Sequence, residues 1–100
     1  TNLYNLIAGV KMSDNLEIIR RKLMFRSCRR GTKESDLVIG GFAQKYLREL
    51  NEQQLKNFEK LLDESDQDVL SWIIGISDPP SDRHTDVLEM LKTFEKALNH

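Results

Sequence analysis

One hundred residues suit a single domain with a modest core, which argues against a large enclosed active site and for a small binding module. Hydrophobic residues at 39% and charged residues at 31% exclude a disordered chain, and five glycines with two prolines are too few turn formers for a many-stranded sheet. The net charge of −1 hides an uneven distribution: seven of the fifteen Lys and Arg lie between Arg20 and Lys33 with no acid among them, while fourteen of the sixteen acids lie at or after Glu34.

Residues 1–13 read as a loosely attached tail, because Leu3, Leu6 and Ile7 are the only sizeable aliphatics before Val10 and the flanks are polar. The stretch "LYNLIAGV" is too short and too mixed for a signal peptide or a membrane span, and a mitochondrial transit segment would need several arginines where only Lys11 stands. A helical domain is expected over 14–100. Ser13 or Asp14 offers an N-cap, and Leu16, Ile19 and Leu23 follow at helical spacing, with Arg20, Arg21, Lys22 and Arg26 on the other faces. This first helix is expected to end near Arg30, with Gly31 in the left-handed cap position.

Thr32 can cap a second helix whose apolar face runs Val38, Phe42, Ala43, Tyr46, Leu47, Leu50. Gly40 and Gly41 sit inside it. Each costs about 1 kcal/mol relative to alanine, so close packing of a neighbouring helix is the expected reason for them. "NEQQ" at 51–54 reads as a capping box, and Leu55, Phe58, Leu61 and Leu62 give a third helix. After an acidic connection, Ser65 or Asp66 caps a fourth helix with Val69, Leu70, Trp72, Ile73 and Ile74, closed by Gly75. "SDPPSDR" is a turn, and Val87, Leu88, Leu91, Phe94 and Leu98 mark a fifth helix. The pattern predicts an all-α, compact five-helix bundle.

Catalytic machinery is scarce. His84 lies in the turn after the prolines and His100 is the last residue, at no spacing that makes a metal pair; neither a P-loop nor a GxGxxG occurs. Cys28 is the only cysteine, which excludes an intramolecular disulfide or cysteine-based zinc site and points to a reducing compartment. It reads as a small apolar residue against the helix's neighbour rather than an activated thiolate. Trp72 reads as core. The basic run is either a solvated helix face or a docking surface, for nucleic acid or for a protein with an acidic cleft or anionic cofactor. The run has no interleaved exposed aromatics, and Glu34 at its centre hinders phosphate binding.

"CRRGTKESD" at 28–36 resembles the RGxxE signature, in its longer form RRGxxExD, of the succinate dehydrogenase flavinylation factors, small assembly proteins that promote covalent attachment of FAD to the flavoprotein subunit. The resemblance covers residues 16–75 and includes "FAQKYL" and "LNEQQLKNFEKLLDESDQDVLSWI", the latter similar to the family's run of F-x-x-L-L, a D-x-acid pair and a tryptophan. Ser35 departs from the leucine common in the family. The resemblance implies a five-helix bundle and a non-enzymatic chaperone. Arg30, Gly31 and Glu34 would supply the signature and Asp36 the following acid. Arg26 and Arg29 would extend a surface that meets the flavoprotein near its active site, where the flavin's own chemistry couples it to a histidine of the partner. It further implies no stably bound cofactor, no nucleic acid, no membrane insertion, a monomer, and a location in the cytoplasm of a bacterium or the mitochondrial matrix of a eukaryote. The alternative reading is a small helical nucleic-acid-binding or regulatory, antitoxin-like module using the Arg-rich helix.

Overall fold

The computed structural model describes residues 3–98, with side chains from Asn15 onward. Five helical stretches follow one another, and no strand occurs among the described residues. Helix α1 is Leu3–Ser27. Helix α2 spans 33–49 in four joined pieces: an α-turn Lys33–Ser35, a wide π-turn Asp36–Gly40, an α-segment Gly41–Tyr46 and a tight 3-10 turn Leu47–Glu49. Helices α3 (Glu52–Leu62), α4 (Asp66–Ile74) and α5 (Asp86–Leu98) complete the bundle, with a 3-10 turn at Ser81–Arg83 between the last two.

The caps form as the residue types require. Thr32 accepts the Ser35 amide, Ser65 accepts the Asp68 amide, and Asn51 and Gln54 bond reciprocally as a capping box. Gly75 closes α4 at φ +87°. Both boundaries of α1 differ from expectation. The helix begins at Leu3, so Ser13 and Asp14 lie inside it; no proline interrupts residues 3–27, and an interior Ser or Asp costs only a few tenths of a kcal/mol, roughly. The side chains of the expected tail, like His100, lie outside the described residues. The other end comes at Ser27, and Gly31, at φ +108°, belongs to the connection 28–32 rather than to a helix cap. Long-range bonds made by Arg30, described below, hold that connection in its irregular path.

The core is apolar, with Ser27 and Ser35 its buried polar residues among those described. Leu23 of α1, Val38, Ile39, Phe42, Ala43 and Leu47 of α2, Leu55, Phe58, Leu61 and Leu62 of α3, Val69, Trp72 and Ile73 of α4, and Val87, Leu88 and Leu91 of α5 are all buried. Phe42 stands at its centre, 5.7 Å from the Phe58 ring and 6.0 Å from Phe94 in a T-shaped contact, so one aromatic side chain joins α2, α3 and α5. Truncating it to alanine removes about 3–5 kcal/mol. Ile74 and Leu98, expected on apolar faces, are exposed because each lies in the last turn of its helix, past the packed neighbours.

The paired glycines have separate neighbours. A Cβ at Gly40 would lie 3.2 Å from the Ser27 carbonyl oxygen at the end of α1, and one at Gly41 would lie 3.2 Å from the Phe94 ring of α5. The first contact falls in the π-turn, where the widened backbone meets the end of α1. Arg20 reinforces this packing: its guanidinium donates to the Leu47 carbonyl at 3.3 Å, which also accepts the Leu50 amide, and to the Leu50 carbonyl at 3.0 Å, just past the end of α2. Thus part of the basic run is structural.

Candidate functional site

The corner formed by 28–36 is built around Arg30. Its side chain is only 9% exposed. Nε donates to Asp66 Oδ1 at 2.6 Å, Nη1 to the Leu62 carbonyl at 2.6 Å, and Nη2 to the Glu64 carbonyl at 2.8 Å. Two of these acceptors are carbonyls at the end of α3, and the third is the first residue of α4. One planar fork therefore satisfies helix-end oxygens and pairs with a carboxylate at once, which the geometry of lysine could not reproduce. The backbone amide of Arg30 donates to Asp36 Oδ1 at 2.9 Å, closing the turn from inside.

Ser35 completes the lock. It is fully buried, donates to Asp66 Oδ2 at 3.0 Å, and lies 2.6 Å from the Thr32 hydroxyl. The Asp66 carboxylate thus holds one residue before Gly31 and one residue after it. Between those two anchors the chain has no freedom to slide, and Gly31 turns the backbone at positive φ, where a side chain would be strained although nothing crowds the space.

The expected site residues divide into two groups. Arg30 and Asp36 face inward and shape the corner; an Arg30 that pairs across an interface is not what the structure presents, because its nitrogens are occupied within the chain. Gly31, Arg29 and Glu34 are exposed. Glu34 stands in the first turn of α2, where the positive end of the helix favours a carboxylate, and forms no ion pair among the described residues. The Arg29 guanidinium lies over the Phe25 ring, 4.2 Å from its centre. Arg26 pairs with Asp63 at 2.8 Å, a half-exposed bridge from α1 to the α3–α4 connection. Cys28 is half-buried against Gly40, as a small apolar residue would be.

Ser35 and Asp66 escaped functional notice in the sequence. Ser35 stood out as the place where a leucine was expected, and Asp66 lies in the acidic stretch after F-x-x-L-L, but nothing local links the two. Their bond joins residues 31 positions apart.

Among the described residues no cluster of three or more His, Cys, Asp and Glu is placed to hold a metal, and no helix is long and apolar enough to cross a membrane. An all-α domain whose surface corner is locked from within by buried polar bonds is a presenting scaffold: it holds a few exposed groups in fixed relation. Residues 21–95 match the family model described as flavinator of succinate dehydrogenase, and the chain belongs to that family. It is 36% identical over 96 residues to a protein of Schizosaccharomyces japonicus named succinate dehydrogenase assembly factor 2, mitochondrial, a match that covers 94% of this chain and 67% of the relative. Proteins of the same name from Dictyostelium discoideum (35% over 77 residues, covering 77% and 55%) and Scheffersomyces stipitis (40% over 87 residues, covering 83% and 58%) are similar to it as well. The chain spans between about half and two thirds of the length of these relatives.

Proposed function

We propose that this chain is an assembly factor that binds the flavoprotein subunit of succinate dehydrogenase, as a monomer, and promotes covalent attachment of FAD to it. The observation that carries the reading is the division of the signature: Arg30 and Asp36 are consumed in building a rigid corner, which leaves Glu34 exposed and unpaired beside a glycine that lets another backbone approach. Such a corner positions a partner without reacting. The chain contributes orientation rather than a base or nucleophile, and works in the mitochondrial matrix of a eukaryote, in keeping with relatives named as mitochondrial, or in the cytoplasm of a bacterium.

The flavin belongs to the partner in this reading, and the chemistry of the corner supports that assignment. An exposed carboxylate repels a pyrophosphate, and two of the three arginines at or beside the corner, Arg26 and Arg30, are already bonded to Asp63 and Asp66, while Arg29 lies over the Phe25 ring. Nucleic acid is disfavoured on the same ground, with Arg20 also turned inward.

In cells lacking the native factor, Glu34→Ala should leave the helical content unchanged and strongly reduce in-gel flavin fluorescence of the denatured flavoprotein subunit. Its effect on stability is small, about 0.3–1 kcal/mol for a carboxylate at a helix start. Full fluorescence with this variant would overturn the reading.

A further inference from the structure

A second surface runs along α1 and adjoins the corner, whose Arg29 lies over the Phe25 ring. Phe25 is 61% exposed and Ile18, one heptad earlier on the same helix, 48% exposed. Single exposed apolar residues need no explanation, but Phe25 borders two grooves. One, of about 330 Å³, runs between α1 and the end of α2 over Met24, Phe25 and Leu47, with Arg21 and Arg48 at its edge. The other, a shallower hollow of about 420 Å³, is lined by Phe25 with Arg21, Lys22 and Arg26. Phe25 and Arg21 line both.

The charge around them is one-sided. Glu17 is the only acid at the first groove, and it already faces Arg48 at 3.5 Å. Arg21 and Lys22 are exposed and make no ion pair among the described residues, and Glu17, four residues before Arg21 on the same helix, faces Arg48 instead. An apolar floor bordered by cations complements a segment of opposite pattern.

We infer that the Phe25 groove is a docking site for an acidic protein segment that inserts an aliphatic or aromatic side chain beside Phe25 and sets carboxylates against Arg21 and Lys22. The cations at the rim would meet phosphate as well as carboxylate, but the apolar floor accepts an inserted side chain, which a phosphate backbone does not carry and a bilayer surface does not present as a single anchor. The inference goes beyond the flavinylation reading and does not depend on Glu34.

The test uses the full chain and a short synthetic peptide of glutamates around a central Leu-Phe pair, with its glutamine counterpart as control. Fluorescence anisotropy should show salt-sensitive binding of the acidic peptide alone, and NMR shifts should concentrate at Met24, Phe25 and Leu47. Phe25→Ala should abolish binding, and the double change Arg21→Glu, Lys22→Glu should weaken it about tenfold. Glu34→Ala should bind the peptide normally, which separates this site from the corner; circular dichroism checks that each variant is folded. No binding, equal binding of the glutamine peptide, shifts elsewhere, or preference for phosphatidylglycerol vesicles or oligothymidylate over the peptide would overturn the inference.

Discussion

The connection between α3 and α4 is gripped from two sides, by the turn after α1 and by the turn before α5, and the two grips differ in kind. Arg30 reaches it from within, with its fork on two backbone carbonyls and the Asp66 carboxylate, at 9% exposure. Arg83 reaches it from outside, pairing with the Glu64 carboxylate at 2.9 Å and with its neighbour Asp82 at 2.8 Å, at 21% exposure. Both turns also contain a positive-φ glycine with open space where a Cβ would stand, Gly31 in one and Gly75 in the other. The likeness shows how the bundle ties loops down. The difference shows where it spends its buried polar bonds: on the turn that carries Glu34.

The largest expected effect tests this difference directly. Arg30→Ala strands the Asp66 carboxylate in a mostly buried place and uncaps two carbonyls, so urea unfolding should show a loss of about 3 kcal/mol or more. Arg83→Ala leaves groups that water can reach, and should cost about 1 kcal/mol or less. Equal losses would mean that the two grips are equivalent.

A smaller effect on stability separates scaffold from function. Gly31→Ala and Gly75→Ala each force a side chain into positive φ without a clash, and each should cost about 1–3 kcal/mol in thermal or urea unfolding. Only the Gly31 change should impair flavinylation, read by in-gel fluorescence of the flavoprotein. If Gly75→Ala impairs it to the same degree at matched stability, the corner has no special role.

The smallest effect belongs to the turn before α5 alone. His84 hydrogen-bonds Glu89 at 3.0 Å, and this bond, with Lys92 alongside, holds the Glu89 carboxyl below its usual value of 4.5. A depressed carboxylate stabilises the fold above its unfolded pKa, and that contribution is lost as pH falls through the folded value. His84→Ala should therefore move the NMR titration of Glu89 upward, with hardly any change in stability at neutral pH.

Much of the fold was legible because its signals are local. The Thr32 and Ser65 caps, the Asn51–Gln54 box, the Gly75 terminator and the apolar faces of α2, α3 and α5 are each written within a few residues of where they act. The π-turn was not, since nothing in "DLVIG" distinguishes five-residue from four-residue bonding; it arises where Gly40 meets α1. Residue type likewise told that Arg20 and Arg30 were cationic but not which way they faced. Their acceptors lie 27 to 36 residues further along, at helix ends that exist only after the bundle has closed.

That separation has a consequence for the order of events during synthesis. The corner holding Gly31 and Glu34 has its anchor 36 residues downstream, at Asp66. A nascent chain whose C-terminal half is still inside the ribosome has the signature residues but not the shape they make. Premature truncations before Asp66 would carry every letter of the signature and keep only its local bonds, those of Thr32 with Ser35 and of the Arg30 amide with Asp36, so the locked corner forms only on chains whose third and fourth helices have been made.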